Sequence, residues 1–198
     1  GCTDLMTKDM EAKLDYYSQY QKLKGFRHVL QSEVQRDFML QPAFKKGINL
    51  LKKYDYTYDI LIYPDQLQYI KELVSAFPNQ LFVLDHIAKP PIKNKEITKW
   101  KEDISTLAGY ENVYCKISGM VTEADWTNWE VEDFTPYIDV ILEAFGTNRI
   151  MYGSDWPVCL LAASYKKMKQ IADQYFQHFT ESEKQSFFGK TAIEFYKL

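Results

Sequence analysis

The side chains of this sequence that could do chemistry stand where apolar runs stop. Asp155 closes Ile150-Met151-Tyr152-Gly153-Ser154-Asp155. There, β-branched and aromatic residues read as a buried strand, Gly153 lets the backbone pass close to a neighbour, and Pro157 forbids continuation. His28, the Asp85-His86 pair, and Lys116 with Ser118 close three other short apolar runs. Period-two alternation places Phe26, His28 and Leu30 on one side of a strand, Leu84 and His86 on one side of another, and Met151, Gly153 and Asp155 likewise. If those sides face inward, two imidazoles and a carboxylate converge. Such a set can take a proton from water while an imidazole polarises a carbonyl, or it can hold a divalent metal. Lys116 lies between Cys115 and Ile117 in an apolar run. A buried ammonium needs a partner, and Asp155 or a substrate oxygen could supply it. Trp156, next to Asp155, is a candidate for contact with a substrate.

Each of these residues has a structural competitor. A strand-terminal histidine can be a hydrogen-bonded rim residue, Ser-Asp before Trp-Pro is ordinary turn chemistry, and Lys116 could pack its stem and wet its head. His178 lies within a helical pattern and reads as a half-exposed helix residue. Trp126, Trp129, Phe134 and Tyr137 read as a packed layer of loop and helix rather than a cofactor box.

Short strand patterns alternate with longer helical ones along the chain. Helices are expected over 8–23, 42–53, 65–77, 96–107 and 134–145, followed by strands over 25–30, 57–63, 81–86, 113–118 and 149–155; two or three more helices fill 164–196. Repeated helix-strand units of this length imply a parallel sheet. Right-handed crossovers put every strand's C-terminal end, and so every candidate residue, on one edge.

Composition narrows the class. The 198 residues, 46% hydrophobic and 16% aromatic, can bury a real core and read as a single domain spanning 1–198. Twenty-four basic against 27 acidic side chains, a formal charge of -3, and no long block of one sign give no nucleic-acid footprint. No apolar run approaches the roughly 20 residues of a membrane span, and the N-terminus lacks the order of a signal peptide. Three scattered cysteines form neither a disulfide framework nor a Cys-rich metal site, which points to a reducing cytoplasm.

Four ordered motifs then carry a family resemblance. Phe26-Arg27-His28-Val29-Leu30-Gln31, Phe82-Val83-Leu84-Asp85-His86-Ile87-Ala88-Lys89-Pro90, Val113-Tyr114-Cys115-Lys116-Ile117-Ser118-Gly119 and Met151-Tyr152-Gly153-Ser154-Asp155-Trp156-Pro157-Val158 resemble the strand ends of one branch of the amidohydrolase superfamily. That branch holds L-fuconolactonase-like sugar lactonases and pyrone dicarboxylate lactonases. The resemblance implies an α/β (β/α)8 barrel with His86 on the sixth strand and Asp155 on the eighth as general base. It also implies that lactonases of this branch can work without a metal, whereas other members bind zinc or manganese. The expected function is opening of a sugar lactone or related lactone, with His28, Lys89, Lys116 and Trp156 as candidates for holding the small-molecule substrate.

The family's opening His-x-His has no counterpart, since the histidines are His28, His86 and His178. Matching from Gly1-Cys2-Thr3-Asp4-Leu5 onward, the chain corresponds to strands four to eight, an N-terminally incomplete barrel. The 198 residues alone are therefore expected to expose two apolar strand edges, to associate into a homo-oligomer or be poorly soluble, and to lack lactonase activity. No cofactor is required on this reading. His86 and Asp155 would be the ligands of any bound metal, and even with His28 the set of at most three ligands from separate strands is too thin for the chain to hold one tightly. The alternatives are a metal-dependent amidohydrolase or non-oxidative decarboxylase of the same superfamily, and an inactive barrel remnant that acts as a binding or oligomeric module.

Overall fold

The computed structural model describes residues 1–198 and shows five strands in one parallel sheet, in the order in which they occur in the chain. They are β1 (Gly25–Phe26), β2 (Thr57–Ile60), β3 (Phe82–Leu84), β4 (Val113–Ile117) and β5 (Ile150–Tyr152). Four helices make the crossovers: α2 (Pro42–Lys53), α3 (Leu67–Ala76), α4 (Thr98–Ala108) and α5 (Thr135–Phe145). Helix α1 (Met10–Tyr17) precedes β1, and α6 (Tyr165–Tyr175), α7 (Glu181–Gln185) and α8 (Thr191–Tyr196) follow β5. Sequential parallel order with helical crossovers is the arrangement of a (β/α) barrel wall, and five units of it are present.

One face of the sheet carries the main core. Phe26 pairs in register with Tyr58, Tyr58 with Phe82, and Phe82 with Val113. Their side chains meet the apolar stripes of the helices, such as Phe44, Ile48 and Leu51 on α2 at helical spacing. Tyr58 makes edge-on contacts with both Phe44 and Phe82, with centroids 6.0 and 6.1 Å away. The opposite face is different in kind. Alternation turns Asp59, Val83 and Lys116 that way, and α8 lays Phe195 against Val83 and Met151 as a small second cluster.

The strands are shorter than the sequence patterns imply. Strand β1 stops at Phe26, and the chain enters a 3₁₀ turn at Leu30, so His28 lies outside the sheet. Strand β3 stops at Leu84 rather than His86, and β5 at Tyr152 rather than Asp155. The reason is backbone conformation: His86, Ile87, Ala88, Lys89 and Asp155 all have left-handed φ, between 48 and 58°. The expected edge of β1 is also not bare. Gly1–Thr3 runs parallel to it through a bridge between Cys2 and Arg27, closed by N–H···O bonds of 2.9 and 3.1 Å. No helix is long and apolar enough to cross a membrane.

Candidate active site

Beyond the C-terminal ends of β3 and β5, His86 and Asp155 face each other with Nε2 to Oδ1 at 3.4 Å. Pleat alternation does not bring them together, since Leu84 points to the main core with Phe82. The residues His86 to Lys89 instead make a left-handed turn, and a single left-handed residue delivers Asp155. Each non-glycine residue in this region costs about 1–2 kcal/mol, and a β-branched one such as Ile87 is a true outlier. Such a turn persists only where its surroundings over-determine it. Trp100 on α4 donates its indole N–H to the Ile87 carbonyl at 2.8 Å, and Lys89 N–H closes back on the His86 carbonyl at 2.8 Å.

The imidazole seat is equally tight. His86 Nδ1 lies 2.8 Å from Ser118 Oγ at the end of β4. Gly119, at φ 65°, leaves room that any Cβ would fill, since a methyl there would come within 2.8 Å of His86 Cβ and Cγ. Gly153 does the same for Ser118, whose Cβ would be 2.9 Å away. Burial lowers the His86 pKa below its ordinary value against the pull of Asp85 and Asp155, so the ring is neutral at neutral pH. With a carboxylate facing Nε2, the proton belongs on Nε2 and Nδ1 accepts from the Ser118 hydroxyl. The 3.4 Å gap is too long for a normal hydrogen bond, and a water could touch both atoms at about 2.8 Å.

A second polar cluster lies on the inner sheet face. Lys116 Nζ is 2.6 Å from Asp59 Oδ2 and 2.8 Å from Asp85 Oδ1, and Arg27 Nη1 is 3.1 Å from Asp85 Oδ2. Tyr196 on α8 donates to Asp59 at 2.8 Å. Burial opposes the charge on Lys116, but Asp59 and Asp85 outweigh it and raise its pKa. The two carboxylates diverge: burial pushes Asp59 up, whereas at Asp85 burial is overcome by Lys116, His86 and Arg27 and the pKa falls. Asp59 Oδ1 is buried without a hydrogen-bond partner.

The sequence-derived candidates thus separate. His86 and Asp155 are brought together. Lys116 has carboxylate partners, but they are Asp59 and Asp85 rather than Asp155, because β2 and β3 present them on the same inner face. Lys89 sits at the end of the left-handed turn, its Nζ 3.4 Å from Glu123 and 5.6 Å over the Tyr63 ring. His28 hydrogen-bonds Glu33 at 2.7 Å and stacks on Phe38, so its ring turns away from the inward set. Trp156 is 62% exposed. Asp59 was not among the candidates although its signal matches that of Lys116: a charge within a strand whose neighbours, Tyr58 and Ile60, are fully buried. A concavity of about 650 Å³, lined by Pro64, Asp65, Gln68 and residues of the 91–103 stretch, contains neither His86 nor Asp155. Chemistry and cavity size disagree here, and the converging polar groups are the better guide to a reaction site.

As metal ligands, His86 and Asp155 fit in part. A separation of 3.4 Å matches one edge of a tetrahedron with bonds of about 2.0–2.1 Å. No group of three or more His, Cys, Asp or Glu is placed to hold a metal ion together, so these two supply one edge and not a closed site.

Residues 2–198 match the amidohydrolase family model. The chain is 36% identical over 188 residues to an L-fucono-1,5-lactonase of Burkholderia multivorans, covering 89% of this chain and 64% of the relative. It is 30% identical over 202 residues to an L-fucono-1,5-lactonase of Burkholderia ambifaria, covering 100% and 69%. The crystal structure of an amidohydrolase from Burkholderia multivorans with bound zinc superposes with a TM-score of 0.94 at 34% identity, covering 99% of this chain and 72% of that one. The chain therefore spans just under two thirds of the length of the first of these lactonases.

Proposed function

Because the chain belongs to the amidohydrolase family, we propose that the protein is a lactone hydrolase acting on a sugar lactone, with Asp155 as general base and His86 as its electrophilic partner. The observation that carries this reading is the pair itself: a carboxylate and a neutral imidazole 3.4 Å apart beyond the strand ends of a barrel wall. A water held between them loses a proton to Asp155 as its oxygen attacks the lactone carbonyl. His86 Nε2–H donates to the carbonyl oxygen as it gains charge. Collapse of the tetrahedral intermediate breaks the ring C–O bond, and the ring oxygen takes back the proton that Asp155 received from water, leaving as the hydroxyl of the open acid. Lys89, with its ammonium beside Tyr63 and Glu123, is the candidate for a substrate hydroxyl, and Trp156 for the mouth. The proposed setting is the cytoplasm, in keeping with three free cysteines.

The test uses the intact protein and L-fucono-1,5-lactone, the substrate that names the two Burkholderia relatives. Proton release above the spontaneous rate is expected, and Asp155→Asn should reduce kcat by about 10²- to 10⁴-fold while the melting temperature holds. Hydrolysis no faster than background across a panel of sugar lactones sinks the proposal, and an undiminished Asp155→Asn enzyme reassigns the base. The tetrahedral-edge spacing of His86 and Asp155 favours a second reading, metal-dependent hydrolysis. Loss of turnover on chelation with recovery on adding zinc or manganese selects it.

A further inference from the structure

Nothing in the lactonase reading requires Arg27, Asp59, Asp85 or Lys116, yet these four make the densest charge cluster in the molecule. Asp85 connects the cluster to the site. Its side chain is 1% exposed and gripped on both oxygens, by Lys116 and by Arg27. Its backbone leads directly into the left-handed turn His86 to Lys89. The turn is thus held from two sides of the sheet: inward through the Asp85 carboxylate, and outward through the Trp100 indole on the Ile87 carbonyl. His86 lies between those two anchors in the chain, and its ring must enter a seat that Gly119 leaves no wider than needed.

We propose that Asp85, clamped by Lys116 and Arg27, is a positioning residue that holds the left-handed turn and thereby aims the His86 ring at Asp155. A strained turn with one anchor removed relaxes toward ordinary backbone conformations, and the first group to move is the ring at its start. A displacement of about 1 Å at a reacting group can cost about 10²-fold in rate without loss of substrate binding.

The test has a spectroscopic arm that does not depend on turnover and a kinetic arm that rests on the lactonase reading. The imidazole Cε1–Hε1 resonances of His28, His86 and His178 can be assigned by single His→Gln replacements. In Asp85→Asn the His86 resonance is expected to shift or broaden while those of His28 and His178 stay. In the kinetic arm kcat falls about 10²-fold with KM within about twofold. Trp100→Phe, which releases the outer anchor, should move the same resonance. Tyr196→Phe removes a hydrogen bond from the same cluster at Asp59 but leaves Asp85 gripped, and it should leave the His86 resonance in place. A folded Asp85→Asn protein with an unmoved His86 signal overturns the proposal, as does a Tyr196→Phe protein whose His86 signal moves as far. If Asp85→Asn does not fold, Trp100→Phe decides by the same criterion. Absence of lactone turnover in the parent protein would remove the kinetic arm and leave the resonance result standing.

Discussion

The two faces of the sheet are stabilised by opposite means. The outer face is apolar and redundant: Phe26, Tyr58 and Phe82 run in register across three strands and meet the stripes of several helices. The inner face is sparse and specific. There a few charges must find one another, and the apolar remainder is a small cluster under α8. Removing an outer side chain loses burial, whereas removing an inner one strands a charge. The lesson is that the proposed site adjoins the face with less packing to spare.

The largest stability effect is expected on the outer face. Phe82→Ala, at a position with no exposure, should cost about 3–5 kcal/mol in denaturant unfolding and leave the His86 resonance unshifted in the protein that remains folded. A loss below about 1 kcal/mol would break the contrast between the faces.

Lys116→Met comes next. It leaves Asp59 without its cation and Asp85 with Arg27 alone, and an uncompensated buried carboxylate of this kind costs about 3 kcal/mol or more. The sharper form adds Asp59→Asn to Lys116→Met. If charge balance rather than packing governs the inner face, the double variant should recover part of the loss, read as a double-mutant cycle.

A smaller effect follows from His86. Its folded pKa is lowered, mainly by burial, so the unfolded chain takes up a proton at a higher pH than the folded one. Stability from this group is therefore fully present above the unfolded value near 6.5. It is lost as pH falls below that value, at up to about 1.4 kcal/mol per unit, until the folded ring protonates. Equilibrium unfolding of wild type and His86→Gln between pH 7.5 and 5.5 checks this as about the slope difference of one proton. A steeper acid loss in His86→Gln would reverse the sign and the reading of burial.

The smallest is Trp156→Ala. With most of its surface exposed, its removal should change stability by no more than about 0.5 kcal/mol, and any effect should appear in KM for the lactone. A large loss of stability would show that the residue is structural.

How much of this was legible beforehand depends on the residue. Helix α2 runs from Pro42 to Lys53, as its apolar spacing, leading proline and closing lysines imply. The order and parallel sense of the strands also follow from the alternation of periods. The strand ends do not, because a left-handed His86, Ile87 or Asp155 has no signal in residue type, and nothing short of the surrounding contacts enforces it. Pairing of His86 with Asp155 was therefore anticipated through a pleat that neither residue occupies. Lys116 announced that it needed a partner. Which partner depended on the lateral order of β2, β3 and β4, information carried by the sheet rather than by any one strand.

The bond from Tyr196 to Asp59 joins positions 137 residues apart. During synthesis at about 5–20 residues per second, Asp59 leaves the ribosome on the order of ten seconds before the hydroxyl that will meet it. For that interval the inner face of the nascent sheet has neither Tyr196 nor the Phe195 ring over Val83. The turn that carries Phe195 and Tyr196 is thus a latch that closes long after the sheet it covers has been made. A nascent chain stalled before Phe195 is the species in which this face is open to a chaperone, and the arrival of Phe195 and Tyr196 is what withdraws it.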